Sequence, residues 1–115
     1  MKLSEMTDNE INFAIKLEEL KKHFPNAKYF EPDDPQKCIW VHDVGFSSHQ
    51  VLDCCGKALY YMQIATENNI DIKFYTDDVQ CKHENFDIKF TSRFMPKSDA
   101  GRAVCECFLM TKGHV

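Results

Sequence analysis

The sequence predicts one α+β domain, a layered α/β/α-type sandwich with a small, mainly antiparallel sheet. The first observation behind this prediction is that stretches with apolar residues at helical spacing alternate with stretches in which every second residue is apolar. The second is their order, α-β-β-α-β-β-α, without a linker long enough to divide residues 1–115. The third is size, because a chain of 115 residues buries roughly two-thirds of its unfolded surface and can fold without a metal or disulfide.

A helix is predicted near the amino terminus. Thr7 and Glu10 have the spacing of a capping box, in which each side chain binds the backbone N–H of the other residue. Pro25 ends the helix, because proline cannot donate the N–H that a helix interior needs. The apolar stripe between these limits contains Phe13, Leu17, Leu20 and Phe24.

Two strands are predicted next. Residues 28–31 are predicted to form a short edge strand, followed by a turn rich in proline and aspartate. In the second strand, residues 38–44, Ile39 and Val41 share one face, and the opposite face also carries apolar side chains such as Trp40. This strand is therefore expected to be central or covered on both sides.

The second helix is predicted over residues 47–69. Ser47 and Gln50 have capping-box spacing, and Asn68 and Asn69 are suitable for the carboxyl end. Its apolar stripe comprises Val51, Leu52, Cys55, Ala58, Leu59, Met62 and Ala65.

The tetrapeptide Asp-Ile-Lys-Phe occurs twice, at residues 71–74 and 87–90, and predicts the two strands of a hairpin. Pairing Ile72 with Ile88 puts the apolar residues of both strands on one buried face. Opposite charges then face each other on the outer face, where each such pair contributes about 0.2–1 kcal/mol. The connecting loop is predicted at residues 78–82.

The third helix is predicted close to the carboxyl terminus. Ser98 or Asp99 caps its start, after Pro96, and Gly113 ends it. Its buried stripe is predicted to contain Ala100, Ala103, Val104, Cys107 and Phe108.

The composition of the chain argues against several functional classes. The formal net charge is −4, and the two arginines, Arg93 and Arg102, lie in no basic run, so direct nucleic-acid binding is not expected. The chain has no signal-peptide pattern and no apolar run of membrane-spanning length, which indicates a cytoplasmic protein without a membrane interaction. Its six cysteines are therefore expected to be free thiols, and no cofactor is expected.

Thiol and imidazole groups leave one alternative open. Cys81 and His83 form a Cys-x-His pair, but structural zinc sites usually combine two spaced pairs, and no Cys-x-x-Cys is present. His49 and Asp53 would pair across one turn of the second predicted helix, beside Cys54 as a nucleophile. Buried thiols are the favoured interpretation, with no metal ligands and no catalytic residues, while a small metal-binding or thiol/histidine enzyme remains the alternative.

Clustered acids and two aromatic residues are the candidate partner contacts. Acids form a surface that complements a basic partner, and aromatic residues are frequent anchors of protein interfaces. The predicted binding residues are Asp33, Asp34, Trp40, Tyr61, Asp77, Asp78 and Glu84.

Three stretches of the chain resemble a known family. They are the opening "MTDNEINFAIKLEEL", the middle "LDCCGKAL" and the closing "DAGRAVCECFLM", the nearest matches being Thr7-Asp8-x-Glu10-Ile11-Asn12 and Arg102-Ala103-x-Cys105. With the order of elements, they resemble the phage ABA-sandwich domain family, small phage and prophage proteins with an α/β/α layered fold. The resemblance implies no catalytic residues.

The resemblance also implies a biological setting. A small acidic phage protein without a catalytic signature is expected to act by binding a host protein or complex. The specific expectation is an inhibitor of a bacterial defence complex of CRISPR type, in which an acidic surface occupies a basic nucleic-acid groove. Self-association through Trp40 or Tyr61 is left open.

Overall fold

The computed structural model describes residues 2–30, 38–42, 45–83 and 91–115. Within them the fold is α+β, as predicted, with three α-helices and two small antiparallel sheets. The helices are α1 (Asp8–His23), α2 (Ala58–Glu67) and α3 (Ala100–Thr111). The strands are β1 (Lys28–Phe30), β2 (Cys38–His42), β3 (Phe46–Gln50), β4 (Ile70–Phe74), β5 (Asp78–His83) and β6 (Met95–Pro96). None of the described helices is long and apolar enough to cross a membrane.

The first sheet has the order β1-β2-β3. The central position predicted for β2 is confirmed, with Trp40 paired to Phe30 on one side and to Ser48 on the other. Ile39 and Val41 are buried as predicted, and they form a small hydrophobic cluster with Leu20 of α1 and with Val51. The alternation of this strand therefore directs one face onto α1.

The second sheet has the order β4-β5-β6. Helix α3 packs on β5 and β4, and α2 packs against both α3 and β4. Val79 and Cys81 of β5 are fully buried in the larger hydrophobic cluster, together with Val104 and Leu109 of α3. An alternating strand thus meets the apolar side of a helix, which is the usual way for both to bury their apolar surfaces.

Helix α1 connects the two clusters. Its predicted capping box is confirmed: the Glu10 backbone N–H donates to Thr7 Oγ1 at 3.2 Å, and the Thr7 N–H donates to Glu10 Oε1 at 3.0 Å. Ile11 and Ile15 belong to the larger cluster, whereas Leu20, farther along the helix, belongs to the smaller one. The molecule is accordingly elongated, with extents of 48 × 29 × 27 Å.

The start predicted for the second helix is wrong. Ser47 to Gln50 form strand β3, residues 51–57 form an irregular turn, and α2 begins only at Ala58 after Lys57. Serine and histidine are modest helix formers, whereas every residue of β2 gains a ladder partner in β3. Tertiary pairing therefore outweighs the local capping-box pattern.

The predicted hairpin differs as well. The residues predicted as its loop, 78–82, belong to strand β5, which pairs with β4 so that Ile72 faces Cys81 and Phe74 faces Val79. The apolar spacing of Val79 and Cys81 explains this, because it is the period-two pattern of a buried strand. Residues 84–90, including the second tetrapeptide and Ile88, lie outside the described residues.

Helix α3 follows the prediction closely. A 3-10 turn over Lys97–Asp99 precedes it, and Asp99 occupies the N-cap position without a side-chain capping bond. The predicted stripe is buried, and burial extends beyond it to Gly101, Cys105, Glu106 and Leu109. Gly113 follows the helix with φ of 92°, a conformation that favours glycine.

The buried carboxylate of Glu106 is held by two arginines. Arg102 Nε donates to Glu106 Oε2 at 2.7 Å, and Arg93 Nη2 donates to the same oxygen at 3.2 Å. Arg102 also binds Asp8 Oδ1 at 2.7 Å and the carbonyl oxygens of Leu3 and Met6 at 2.8 and 2.6 Å. Arg102 therefore neutralises the buried carboxylate of α3, and its other hydrogen bonds attach the amino-terminal segment to this helix.

Replacing Arg102 should destabilise the protein strongly. We expect Arg102→Ala to lower the free energy of unfolding by about 3 kcal/mol, because Glu106 keeps its buried charge and loses its closest cation. Arg93→Ala is the control, since the Arg93 side chain is half exposed, and should cost less than about 1 kcal/mol. Urea unfolding measures both, and equal losses would contradict the assigned roles.

Gly101 should tolerate no side chain. A methyl group there would overlap the Cys55 carbonyl oxygen and lie 2.5 Å from Tyr61 Cδ2. We expect Gly101→Ala to lower the free energy of unfolding by about 3 kcal/mol through overpacking. Gly45→Ala, with no atom within 4 Å of the added methyl, should change it by less than about 0.5 kcal/mol. Thermal and urea unfolding of both variants check this, and a neutral Gly101→Ala would refute the close approach.

Candidate functional site

Two of the predicted binding acids lie at the tight turn that joins β4 to β5. Asp77 and Asp78 are both exposed. The backbone anchors them, because the Tyr75 N–H donates to the Asp78 carbonyl at 2.8 Å and the Lys97 N–H donates to the Asp77 carbonyl at 3.3 Å. The two carboxylates are thus presented to solvent on a turn held from two sides.

Three exposed aromatic residues surround this turn. Phe74 and Phe94 are each 57% exposed and Tyr75 is 38% exposed. The rings of Tyr75 and Phe94 meet edge to face with centroids 5.4 Å apart, which is a favourable geometry for an aromatic pair. We call Phe74, Tyr75, Asp77, Asp78 and Phe94 the turn surface.

Sequence reasoning found the acids of the turn surface but missed its aromatic residues. Phe74 was expected on the buried face of a hairpin, and Phe94 follows no periodic pattern. A usable signal was present, since Tyr75 lies two residues before Asp77 and Phe94 lies two residues before Pro96. Their convergence depends on the antiparallel pairing of β5 with β6, in which Asp78 faces Pro96 and Val79 faces Met95.

The remaining predicted binding residues lie elsewhere. Trp40 is 38% exposed on the central strand of the first sheet, on the face opposite Ile39 and Val41. Tyr61 is half-buried on α2 and its ring lies against Gly101, so it contributes to the contact between α2 and α3. The predicted acids at positions 33, 34 and 84 (Asp33, Asp34 and Glu84) lie outside the described residues.

The Cys81–His83 pair lies on strand β5. Cys81 is fully buried, and burial together with nearby Cys107 raises the pKa of its thiol to about 12. A neutral buried thiol is a poor metal ligand and a poor nucleophile, since both roles require the thiolate. Within the described residues, no group of three or more His, Cys, Asp or Glu side chains is arranged to hold a metal ion.

The alternative site of His49, Asp53 and Cys54 was predicted on one helix, but these residues do not lie on a helix. His49 lies on strand β3, where its Nε2 is 3.0 Å from Ser47 Oγ and its ring lies 5.8 Å from that of Phe24. Asp53 lies in the following turn and accepts hydrogen bonds there. The pairing of His49 and Asp53 across one helical turn is therefore wrong, because residues 47–53 are not helical.

The turn over residues 51–57 is clamped by Asn12 of α1. The Asn12 amide donates to Asp53 Oδ1 at 3.3 Å and accepts from the Cys55 N–H at 3.1 Å. Asp53 Oδ1 also accepts from the Gly56 N–H at 3.1 Å. Asn12 is buried, so these bonds replace its lost hydration and satisfy the turn backbone.

The clamped turn places Cys54 and Cys55 in the same hydrophobic cluster as Cys105 of α3, and we call these three residues the thiol cluster. The Cys55 thiol donates to the Asp8 carbonyl at 3.9 Å. Sequence analysis expected buried free thiols, and all three are buried and free. It missed their convergence, because residues 51–55 were assigned to a helix.

The three sulfur atoms are not chemically equivalent. The hydrogen bond from Cys105 lowers the pKa of Cys54, against the opposing effect of burial. The same bond, a second one with Cys55 and burial all raise the pKa of Cys105 strongly. The pKa of Cys54 is therefore shifted down and that of Cys105 is shifted up.

Comparisons of this chain with protein-family models, with curated proteins and with solved structures find no match. The chemistry of the turn surface and of the thiol cluster is therefore derived from their own side chains.

Removing the Asn12 clamp should loosen the turn. We expect Asn12→Ala to lower the free energy of unfolding by about 1–3 kcal/mol, because the buried Cys55 N–H loses its acceptor. Asn9→Ala, at an exposed position of the same helix, should stay within about 0.5 kcal/mol of the native protein. Urea unfolding and hydrogen exchange at Cys55 and Gly56 measure the effect, and unchanged exchange would show that Asn12 does not hold the turn.

Proposed function

We propose that this chain is a non-enzymatic protein-binding module that holds a basic partner on its turn surface. The single observation that carries the proposal is the placement of three exposed aromatic residues around two exposed carboxylates on one backbone-anchored turn. Large aromatic side chains provide most of the energy of many protein interfaces, with charged groups at the rim.

Contacts within the protein hold part of the turn surface in place. Phe74 ends β4 opposite Val79, the Tyr75 N–H donates to the Asp78 carbonyl, and the Tyr75 ring packs against Phe94. Ordering a side chain on binding costs about 0.5–1.5 kcal/mol, so rings that are already held lose less on association. This preorganisation favours recognition of a partner by the turn surface over a role in the core.

The charge of the turn surface indicates the chemistry of the partner. Asp77 and Asp78 complement lysine and arginine, and the whole chain carries a net charge of −4. The Lys73 ammonium lies 5.2 Å from the centroid of the Tyr75 ring, and this contact supports the idea that the ring packs against a cation. An arginine of a partner would use the same ring and the adjacent carboxylates.

The finer form of the proposal concerns the identity of the partner. A protein that binds nucleic acid has clustered Lys and Arg, and an acidic surface can occupy that cluster. Together with the resemblance to small phage proteins, this supports a host defence complex of CRISPR type as the target, in the cytoplasm of an infected bacterium.

Two double variants test the proposal. Tyr75→Ser with Phe94→Ser removes the aromatic anchors, and Asp77→Asn with Asp78→Asn removes the charges. We expect the first to weaken binding to a partner captured from bacterial lysate and purified by roughly 30-fold, corresponding to about 2 kcal/mol of hot-spot energy. The second should weaken it less and reduce its dependence on salt.

Leu59→Ser is the matched control, because Leu59 is an apolar residue 75% exposed on α2, outside the turn surface. It should bind as the native chain does. Added DNA or RNA should compete with the native chain for the partner if the partner surface is a nucleic-acid groove. A partner bound equally by the native chain and both double variants would refute the turn surface, and a captured protein with an acidic contact surface would refute the charge argument.

A further inference from the structure

We propose that β4 is the interface of a homodimer, in which it pairs antiparallel with β4 of a second copy of this chain, so that the second sheets of both copies become continuous. This inference goes beyond the proposed binding function and does not rest on it. Phe74 belongs both to this interface and to the turn surface, whereas the other residues of the turn surface lie outside β4.

Strand β4 is the open edge of the second sheet. In the part of the chain that the structure describes, β5 pairs with one side of β4 and no strand lies on its other side. The opposite edge of this sheet is β6, which contains only Met95 and Pro96, and proline has no N–H to offer to a further strand. The five residues of β4 instead present a row of backbone donors and acceptors, which is a template for strand addition.

The ladder between β4 and β5 defines which backbone groups point toward the open edge. The Tyr75 N–H donates to the Asp78 carbonyl, so Tyr75 occupies a hydrogen-bonded position of this ladder. Such positions alternate along an antiparallel strand. The N–H and C=O groups of Ile70, Ile72 and Phe74 therefore point away from β5, and a second antiparallel strand would bind these three residues.

The charges of β4 are self-complementary in one register. When Ile72 faces Ile72 of the second copy, Asp71 of each copy faces Lys73 of the other. Opposite charges facing each other across two strands are favourable, whereas like charges are unfavourable. A shift of two residues sets Asp71 against Asp71 or Lys73 against Lys73, and a shift of one residue places apolar side chains on the charged face. The sequence of β4 thus selects a symmetric pairing centred on Ile72.

The same charges favour a second copy over an unrelated strand. A lysine in an edge strand is a common means of discouraging strand addition. Within its own ladder Asp71 faces Lys82, whereas Lys73 faces the uncharged Gln80. The Lys73 ammonium lies near the Tyr75 ring, and Asp71 of a second copy would give it an acid. The outer strand β3 of the first sheet also has five residues, but it contains no lysine or acid to define a register.

Exposed apolar side chains accompany the open edge. Phe74 is 57% exposed and Met62 of α2 is 47% exposed. Both line an open groove between α2 and β4, together with Ala65, Thr66 and Ile70. In the symmetric pairing, Phe74 of the second copy faces Ile70 and shares its face of the sheet, so its ring would enter this groove. By symmetry both copies then remove apolar surface from water.

The first experiment measures the oligomeric state of the purified native chain by analytical ultracentrifugation, from micromolar to near-millimolar concentration. We expect a monomer–dimer equilibrium without larger species, because pairing occupies β4 in both copies. Lys73→Glu should weaken dimer formation roughly tenfold or more, because acids then face acids in both charged pairs. Lys22→Glu, the same charge change at an exposed position of α1, should leave the equilibrium unchanged.

Exchange of the charges tests the register. Asp71→Lys makes the charges of β4 uniformly basic and Lys73→Glu makes them uniformly acidic, so each variant should dimerise weakly alone. A mixture of the two variants should form a heterodimer, because every facing pair again has opposite charges. Combining Asp71→Lys and Lys73→Glu in one chain should restore the homodimer.

Hydrogen exchange of the native chain keeps the proposal testable without any variant. The amides of Ile72 and Phe74 should be protected at high concentration and exposed on dilution, whereas those of Asp71 and Lys73 should be protected at both. A monomer at every concentration, a dimer that keeps its affinity in Lys73→Glu, or mixed variants that fail to pair would each overturn the proposal. Protection of Ile72 at every dilution would mean that the chain itself covers this edge, and would overturn it as well.

Discussion

The ion pair between Arg102 and Glu106 is the constraint on which the other packing of α3 depends. A buried carboxylate is costly unless a cation and hydrogen bonds compensate it. Burial alone would lower the pKa of Arg102, but its hydrogen bonds to Asp8 and Glu106 raise it, so the guanidinium remains charged. The same side chain binds the Leu3 and Met6 carbonyls, which closes the amino-terminal segment over the helix.

With its one acidic residue neutralised, α3 can be buried on several sides, and both candidate regions rely on it. One side carries Gly101 and Cys105, which receive the 51–57 turn and complete the thiol cluster. Another side supports β5, whose ladder with β4 ends at the turn surface. Helix α3 therefore supports both the buried thiol cluster and the exposed turn surface, although these two regions are separate in the sequence.

The accuracy of sequence reasoning differed between the ends and the middle of the chain. At α1 and α3 the local sequence signals and the burial of the apolar side chains favour the same helices. These signals are the capping box of Thr7, the apolar stripes and Gly113. At Ser47 to Gln50 a capping pattern competed with pairing to β2, and pairing prevailed. Of the candidate site, the acids Asp77 and Asp78 were identified because acidic residues cluster there in the sequence, whereas the exposure of Phe74 and Phe94 was not predicted.

By itself the sequence determined the α+β class, two of the three helices almost to their ends, the central position of β2 and the burial of the cysteines. These features follow from periodicity and capping, which act between residues close together in the chain. Only the tertiary structure decided that β4 pairs with β5, that Tyr75 meets Phe94, and that Gly101 meets the Cys55 carbonyl. Such contacts join distant residues, and they depend on ladder pairing and on the close approach permitted by Gly101, which no local pattern encodes.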